Sequence, residues 1–146
     1  MRKFRGLIVT VLIWVALTLA LGAFFAMRGD LEQADLIASG LYMLFLLILI
    51  PTALPLHSYL LETLLVLYAL TLGVVDVAAY LKMSHPVLDV LSPLMLNPFQ
   101  GVFYLQSMDS FGLGRFAVHA VIGCFAAFLC LAAGVGACMV QPREWD

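Results

Sequence analysis

Residues 6–27 read GLIVTVLIWVALTLALGAFFAM, a run without one charge directly behind Arg2, Lys3 and Arg5. At 1.5 Å per residue such a run makes a helix of about 33 Å, enough to cross the hydrocarbon core of a bilayer. A secretory leader also opens with basic residues and an apolar core, but that core is only about 7–15 residues long. The Ala20/Gly22 pair also makes a poor cleavage site. The segment is therefore expected to stay in place as the first transmembrane helix.

Three more runs have the same character. Residues 36–54 hold an uncharged core, Leu41 to Ile50, which Pro51 and Pro55 are expected to end or kink, because proline lacks an amide donor and crowds the preceding turn. Residues 59–81 and 116–140 complete the set, the last rich in Gly, Ala and Cys. The linker Pro55–Ser58 is short, which predicts that helices two and three are antiparallel neighbours. Composition agrees with spans. Hydrophobic residues make up 64% and charged residues 11%, where a soluble domain carries about 25% charged. In water a chain this small has too much surface to cover with so few charges. The expectation is an all-α integral membrane protein, one membrane domain over residues 1–146 built as a four-transmembrane-helix bundle.

Residues 82–115 read KMSHPVLDVLSPLMLNPFQGVFYLQSMDSFGLGR and suit neither a span nor a solvated loop. A connection this long without structure is uncommon in a compact domain. Apolar pairs and triplets recur through it, and Pro86, Pro93 and Pro98 cut it into pieces too short to cross. Open backbone in lipid leaves amides without partners. The segment is therefore expected as short interfacial helices or as a re-entrant hairpin packed on protein, with a fifth span as the remaining form. Asn97-Pro98-Phe99-Gln100-Gly101 resembles in outline the Asn-Pro turns of channel families. The second copy and the following Ala are missing, so nothing is carried over from that likeness.

Lys and Arg concentrate on the cytoplasmic side of short loops. Arg2, Lys3 and Arg5 therefore place the N-terminus in the cytoplasm, and four spans return Arg143 and the C-terminus to it. Arg28, Lys82 and Arg115 are left at outer helix ends. Trp145, Tyr80 and Tyr104 suit the interfaces, whereas Trp14 falls mid-helix. The basic-then-apolar start points to a bacterial cytoplasmic (inner) membrane. A net charge of −2 gives no reason to expect nucleic acid as a partner. Membrane lipid and other membrane protein subunits are the expected surroundings.

An ionisable side chain at the centre of a span costs at least ~2.5–3.5 kcal/mol, so each one needs a reason. Helix three carries Glu62 and Asp76. Their spacing leaves them about 40° apart around the axis and about 21 Å apart along it, on the face that also holds Ala69, Gly73 and Tyr80. Ala69 and Gly73 form a small-xxx-small pair that lets a neighbour come close. Helix four answers with Ala126, Cys130, Gly134 and Cys138 at intervals of four, widened by Gly123 and Ala127. With the two helices antiparallel, Asp76 and His119 reach similar depth, each within about two turns of the outer end. An Asp76–His119 contact beneath the outer interface follows as an expectation. Glu62 is a candidate intramembrane acid near the cytoplasmic end. For both acids the plain alternative is a structural hydrogen bond or contact with interfacial water, since neither is central.

No motif for catalysis, metal binding or a cofactor is complete. No two of the three histidines have the i, i+4 spacing of a zinc-binding helix. His57 and His119 fall at opposite ends, which argues against a bis-histidine haem, and His57 and His85 read as solvated turn residues. Cys124, Cys130 and Cys138 form no CxxC pair and read as small buried thiols. Gly112-Leu113-Gly114 lacks the strand and third glycine of a phosphate loop, and Ser92, Ser107 and Ser110 have no positioned His and Asp. No catalytic residue, metal or cofactor is expected. The expected function is a non-catalytic accessory or assembly subunit of a larger membrane complex. A small proton-coupled transporter or carrier acting as an oligomer is one alternative, using Glu62 and Asp76. An intramembrane enzyme acting on lipid or quinone, using Asp76 and His119, is another.

Overall fold

The computed structural model describes residues 2–27, 32–56, 59–108 and 114–144. In chain order the elements are α1 (Arg2–Ala26), α2 (Gln33–Leu56), α3 (Tyr59–Tyr80), α4 (Pro86–Leu96), a 3-10 helix (Asn97–Met108) and α5 (Gly114–Glu144). Within these, Phe4–Ala26, Gln33–Thr52, Tyr59–Tyr80 and Gly114–Met139 are each long and apolar enough to cross a membrane. The chain is an all-α integral membrane protein. His57, Gly112, Leu113, Ser110 and Trp145 lie outside the described residues.

The threonines of the spans satisfy their hydroxyls within their own helices. Thr10, Thr18, Thr52, Thr63 and Thr71 each donate a hydroxyl hydrogen bond to the carbonyl four residues back, so none presents an unpaired hydroxyl. At the start of α2 the Glu32 amide donates to Asp35 Oδ2 at 2.7 Å, the side-chain half of a capping box. Of the two effects expected of Pro51 and Pro55, ending the helix does not occur at Pro51: α2 passes through it and stops at Leu56, just beyond Pro55. In a membrane, neighbouring structure satisfies the groups a proline frees, so it is tolerated there. α3 stops in a Schellman turn: the Met83 amide donates to the Ala78 carbonyl, the Lys82 amide to Ala79, and Lys82 adopts φ 55°. His85 then caps α4, its Nδ1 accepting from the Val87 amide at 3.2 Å, with Pro86 in the first turn. That is a more specific role than the solvated turn expected of it.

α3 packs most extensively on α5. Leu65, Ala69, Leu72 and Val75 meet Ile122, Phe125, Ala126 and Leu129, all buried. α2, expected as the antiparallel neighbour of α3, touches it only lightly, chiefly through the Tyr42 and Tyr68 hydroxyls 3.1 Å apart. What separates them is the segment between α3 and α5. α4 runs back along α3, with Asp89 and Ser92 beside Val75, Ala78 and Ala79. Met95 then reaches Trp14, Tyr68 and Thr71, about 13 Å below the end of α3. The 3-10 helix climbs back between α1, α2 and α5: Phe99 lies against Tyr42 and Phe125, and Phe103 against His119. Both arms open at the end of the bundle where α3 stops and α5 begins. Among the described residues of this segment, 82–108 form a hairpin packed on protein.

A 12-residue 3-10 helix is far longer than usual, and Ser39 of α2 holds it. Its Oγ donates to the Pro98 carbonyl at 3.0 Å and accepts from the Gly101 amide at 2.9 Å. Ser39 is fully buried, and α2 comes so close that a Cβ on Gly101 would overlap the Asp35 carbonyl. The cysteines depart from expectation. Cys124 and Cys138 are exposed on the outer side of α5 and Cys130 is half-buried, because the buried stripe runs instead through Val118, Ile122, Phe125, Leu129 and Ala133. Trp14 is buried edge-on against Tyr68, ring centres 5.3 Å apart.

Ser39→Ala removes both buried hydrogen bonds from α2 to the 3-10 helix and is expected to destabilise the detergent-solubilised protein by about 2 kcal/mol, at roughly 1 kcal/mol per hydrogen bond. Gly101→Ala is expected to cost more, because backbone rather than a side chain must move. Thermal unfolding checks both, and a Gly101→Ala protein as stable as wild type contradicts the packing.

Candidate functional site

The structure brings Asp76 and His119 together. His119 Nδ1 lies 2.7 Å from Asp76 Oδ1 across the α3–α5 seam, with both side chains almost wholly buried. An ionised carboxyl accepts Nδ1–H from the imidazole, and a protonated one donates to Nδ1, so either form makes this hydrogen bond. Two rings hold the imidazole in place, Tyr80 at 5.5 Å and Phe103 at 5.7 Å between centres. Phe103 comes from the 3-10 helix, so the hairpin closes one side of the pair. Arg115, one turn before His119, donates to the Ala79 and Tyr80 carbonyls that end α3 and lies over the Tyr80 ring at 5.3 Å. That contact ties the start of α5 to the end of α3 beside the pair.

The other side of the pair is open. A hollow of about 270 Å³ is lined by Asp76, Tyr80, Phe116, His119, Gly123 and Cys124. It adjoins a larger apolar cleft of about 790 Å³ farther down the same seam, and both spaces share Val77 and Gly123. Ala69, Gly73, Ala126 and Cys130 line that cleft. The small residues serve two ends. Ala69 and Ala126 are buried in the helix contact, with Gly73 facing the Ala126 methyl, while their small size also leaves the cleft beside them. Gly123 permits the carboxylate to approach, since a Cβ there would stand 3.3 Å from Asp76 Oδ2. Gly134 does not join this contact: open space surrounds the position a Cβ would take. The close approach expected of it occurs at Gly136.

Glu62 sits at the opposite end of the seam. It is fully buried against Gly136, where a Cβ would stand 2.6 Å from its Oε1, and neither carboxyl oxygen has a hydrogen-bond partner among the described residues. It does not share a site with Asp76. Among the described residues no three His, Cys, Asp or Glu side chains converge in a metal-binding group. Sequence reasoning overlooked the hydroxyl chain Thr18–Tyr42–Tyr68, with steps of 2.8 and 3.1 Å, which joins α1, α2 and α3. Three hydroxyls on three helices carry no spacing signal. No protein family, curated protein or solved structure matches the chain.

An Asp76→Leu/His119→Leu double-mutant cycle is expected to give a coupling energy of about 1–2 kcal/mol, toward the upper end for hydrogen bonds between membrane helices. The double variant should be more stable than the sum of the single losses implies. Strict additivity in thermal unfolding contradicts the contact.

Proposed function

We propose that this chain is an accessory or assembly subunit of a larger protein complex in a bacterial cytoplasmic membrane, with both termini cytoplasmic. The orientation rests on Arg2, Lys3 and Arg5 beside the first span. The subunit reading rests on α1. Only 11% of its apolar window is buried, against 39% for α3. α1 stands off from α3 across a groove of about 430 Å³, rimmed by Val15, Leu19 and Leu67 and floored by Tyr68 and Met95.

The chemistry of that groove suits one kind of occupant, an apolar transmembrane helix of another chain. Its two threonines, Thr18 and Thr71, already spend their hydroxyl protons on their own helix backbones, and the rest of its lining is aliphatic, aromatic or Met. A second support is the sparse polar inventory of the membrane region. General acid–base turnover needs several groups converging on one point, and Asp76 with His119 make only a pair.

Native electrophoresis of the mildly solubilised protein tests the reading. The expected result is migration with at least one further chain. Val15→Trp with Leu67→Trp fills the groove from two exposed positions and should release the chain at its own mass, with accumulation in the membrane unchanged. A wild-type chain that runs alone contradicts the proposal.

A further inference from the structure

We infer that the open side of the α3–α5 seam is a binding site for a neutral, long-chain lipid whose hydroxyl head hydrogen-bonds His119. The head would occupy the hollow at Asp76 and His119, and the chain would lie in the cleft below it. Three observations select this class. First, Asp76 engages His119 through Nδ1, and Nε2 has no hydrogen bond to protein among the described residues. A hydroxyl both donates and accepts, so it pairs with that nitrogen in either tautomer.

Second, the site disfavours an anionic head. The Asp76 carboxylate stands in the hollow, and among the described residues no Lys or Arg lines either space. Arg115, the nearest cation along α5, is committed to the two carbonyls that end α3. A phosphate or fatty-acid carboxylate would therefore be desolvated beside a like charge with nothing to neutralise it.

Third, the cleft is apolar along its length and of ligand size. Its volume of about 790 Å³ falls within the roughly 300–1,000 Å³ typical of small-molecule sites. Val74, Val77, Ala127 and Leu131 on its rim are exposed on the membrane-facing surface, so a chain enters sideways from lipid without crossing the polar end. The Tyr80 and Phe116 rings, 6.2 Å apart, border the hollow and suit a flat or compact head. This site is separate from the α1–α3 groove, so each can fail without the other.

Photolabelling of the purified protein in nanodiscs tests the inference. The probe is a long-chain alcohol carrying a diazirine in its chain, run beside the matched fatty acid. The alcohol is expected to label residues of α3 and α5 that line the cleft, and the acid to label them weakly. Competition by a long-chain quinol, a prenol or a diacylglycerol then tells which hydroxyl lipid fits. His119→Phe removes the hydrogen-bond partner and should lower alcohol labelling about fivefold, as one lost hydrogen bond predicts. Ala127→Trp blocks the cleft from an exposed position and should abolish labelling while leaving thermal stability unchanged. Equal labelling by alcohol and acid overturns the proposal, as does labelling that Ala127→Trp leaves unchanged. A cleft found filled by a copurifying protein helix overturns it as well.

Discussion

Backbone that is not continuous helix must have its amides and carbonyls satisfied by protein when it lies in a bilayer, and this structure rests on that constraint. Residues 97–108 form a 3-10 helix whose tip would leave polar groups facing hydrocarbon. Ser39 answers the Pro98 carbonyl and the Gly101 amide with one hydroxyl, which donates to the first and accepts from the second. The contact works only at close range. Gly101 supplies that range by having no side chain to hold α2 away.

From that contact follows the arrangement of the spans. The hairpin fills the space that α2 and α3 would otherwise share, so their meeting shrinks to the Tyr42–Tyr68 hydroxyls, and α3 takes α5 as its main neighbour. Phe99 and Val102 become part of the core rather than of a surface loop. The hairpin covers one flank of the α3–α5 seam, where Phe103 closes over His119; on the other flank the pair faces an open hollow, and Met83 and Leu88 border the adjoining cleft. A buried ionisable pair with one covered and one open side is the consequence.

The parts of this fold legible in the sequence were those encoded locally. Four apolar runs long enough to cross a bilayer mark four spans without any knowledge of their packing. Asp76 and His119 could be paired because depth follows from counting residues along two antiparallel helices. Facing was harder. A repeat of four residues turns about 40° per step around a helix, so the series Ala126, Cys130, Gly134 drifts off the contact face. The seven-residue step from Ala126 to Ala133 drifts only about 20° and stays on it, and Ala133 is fully buried. Ser39 and Gly101 had no local signal at all. A single serine in an apolar helix and a glycine after Asn-Pro gain meaning only when their elements are seen to touch.

The central claim is that residues 82–108 enter the bundle and leave at the same end, held by Ser39. Cysteine accessibility in sealed, oriented vesicles measures this directly. In a background without Cys124, Cys130 and Cys138, single cysteines replace Lys82, Leu96 and Met108 in turn, and each is challenged with a membrane-impermeant maleimide. The account predicts labelling of positions 82 and 108 from the same side, with position 96 protected from both sides. Labelling of 82 and 108 from opposite sides would make the segment a fifth span and contradict it.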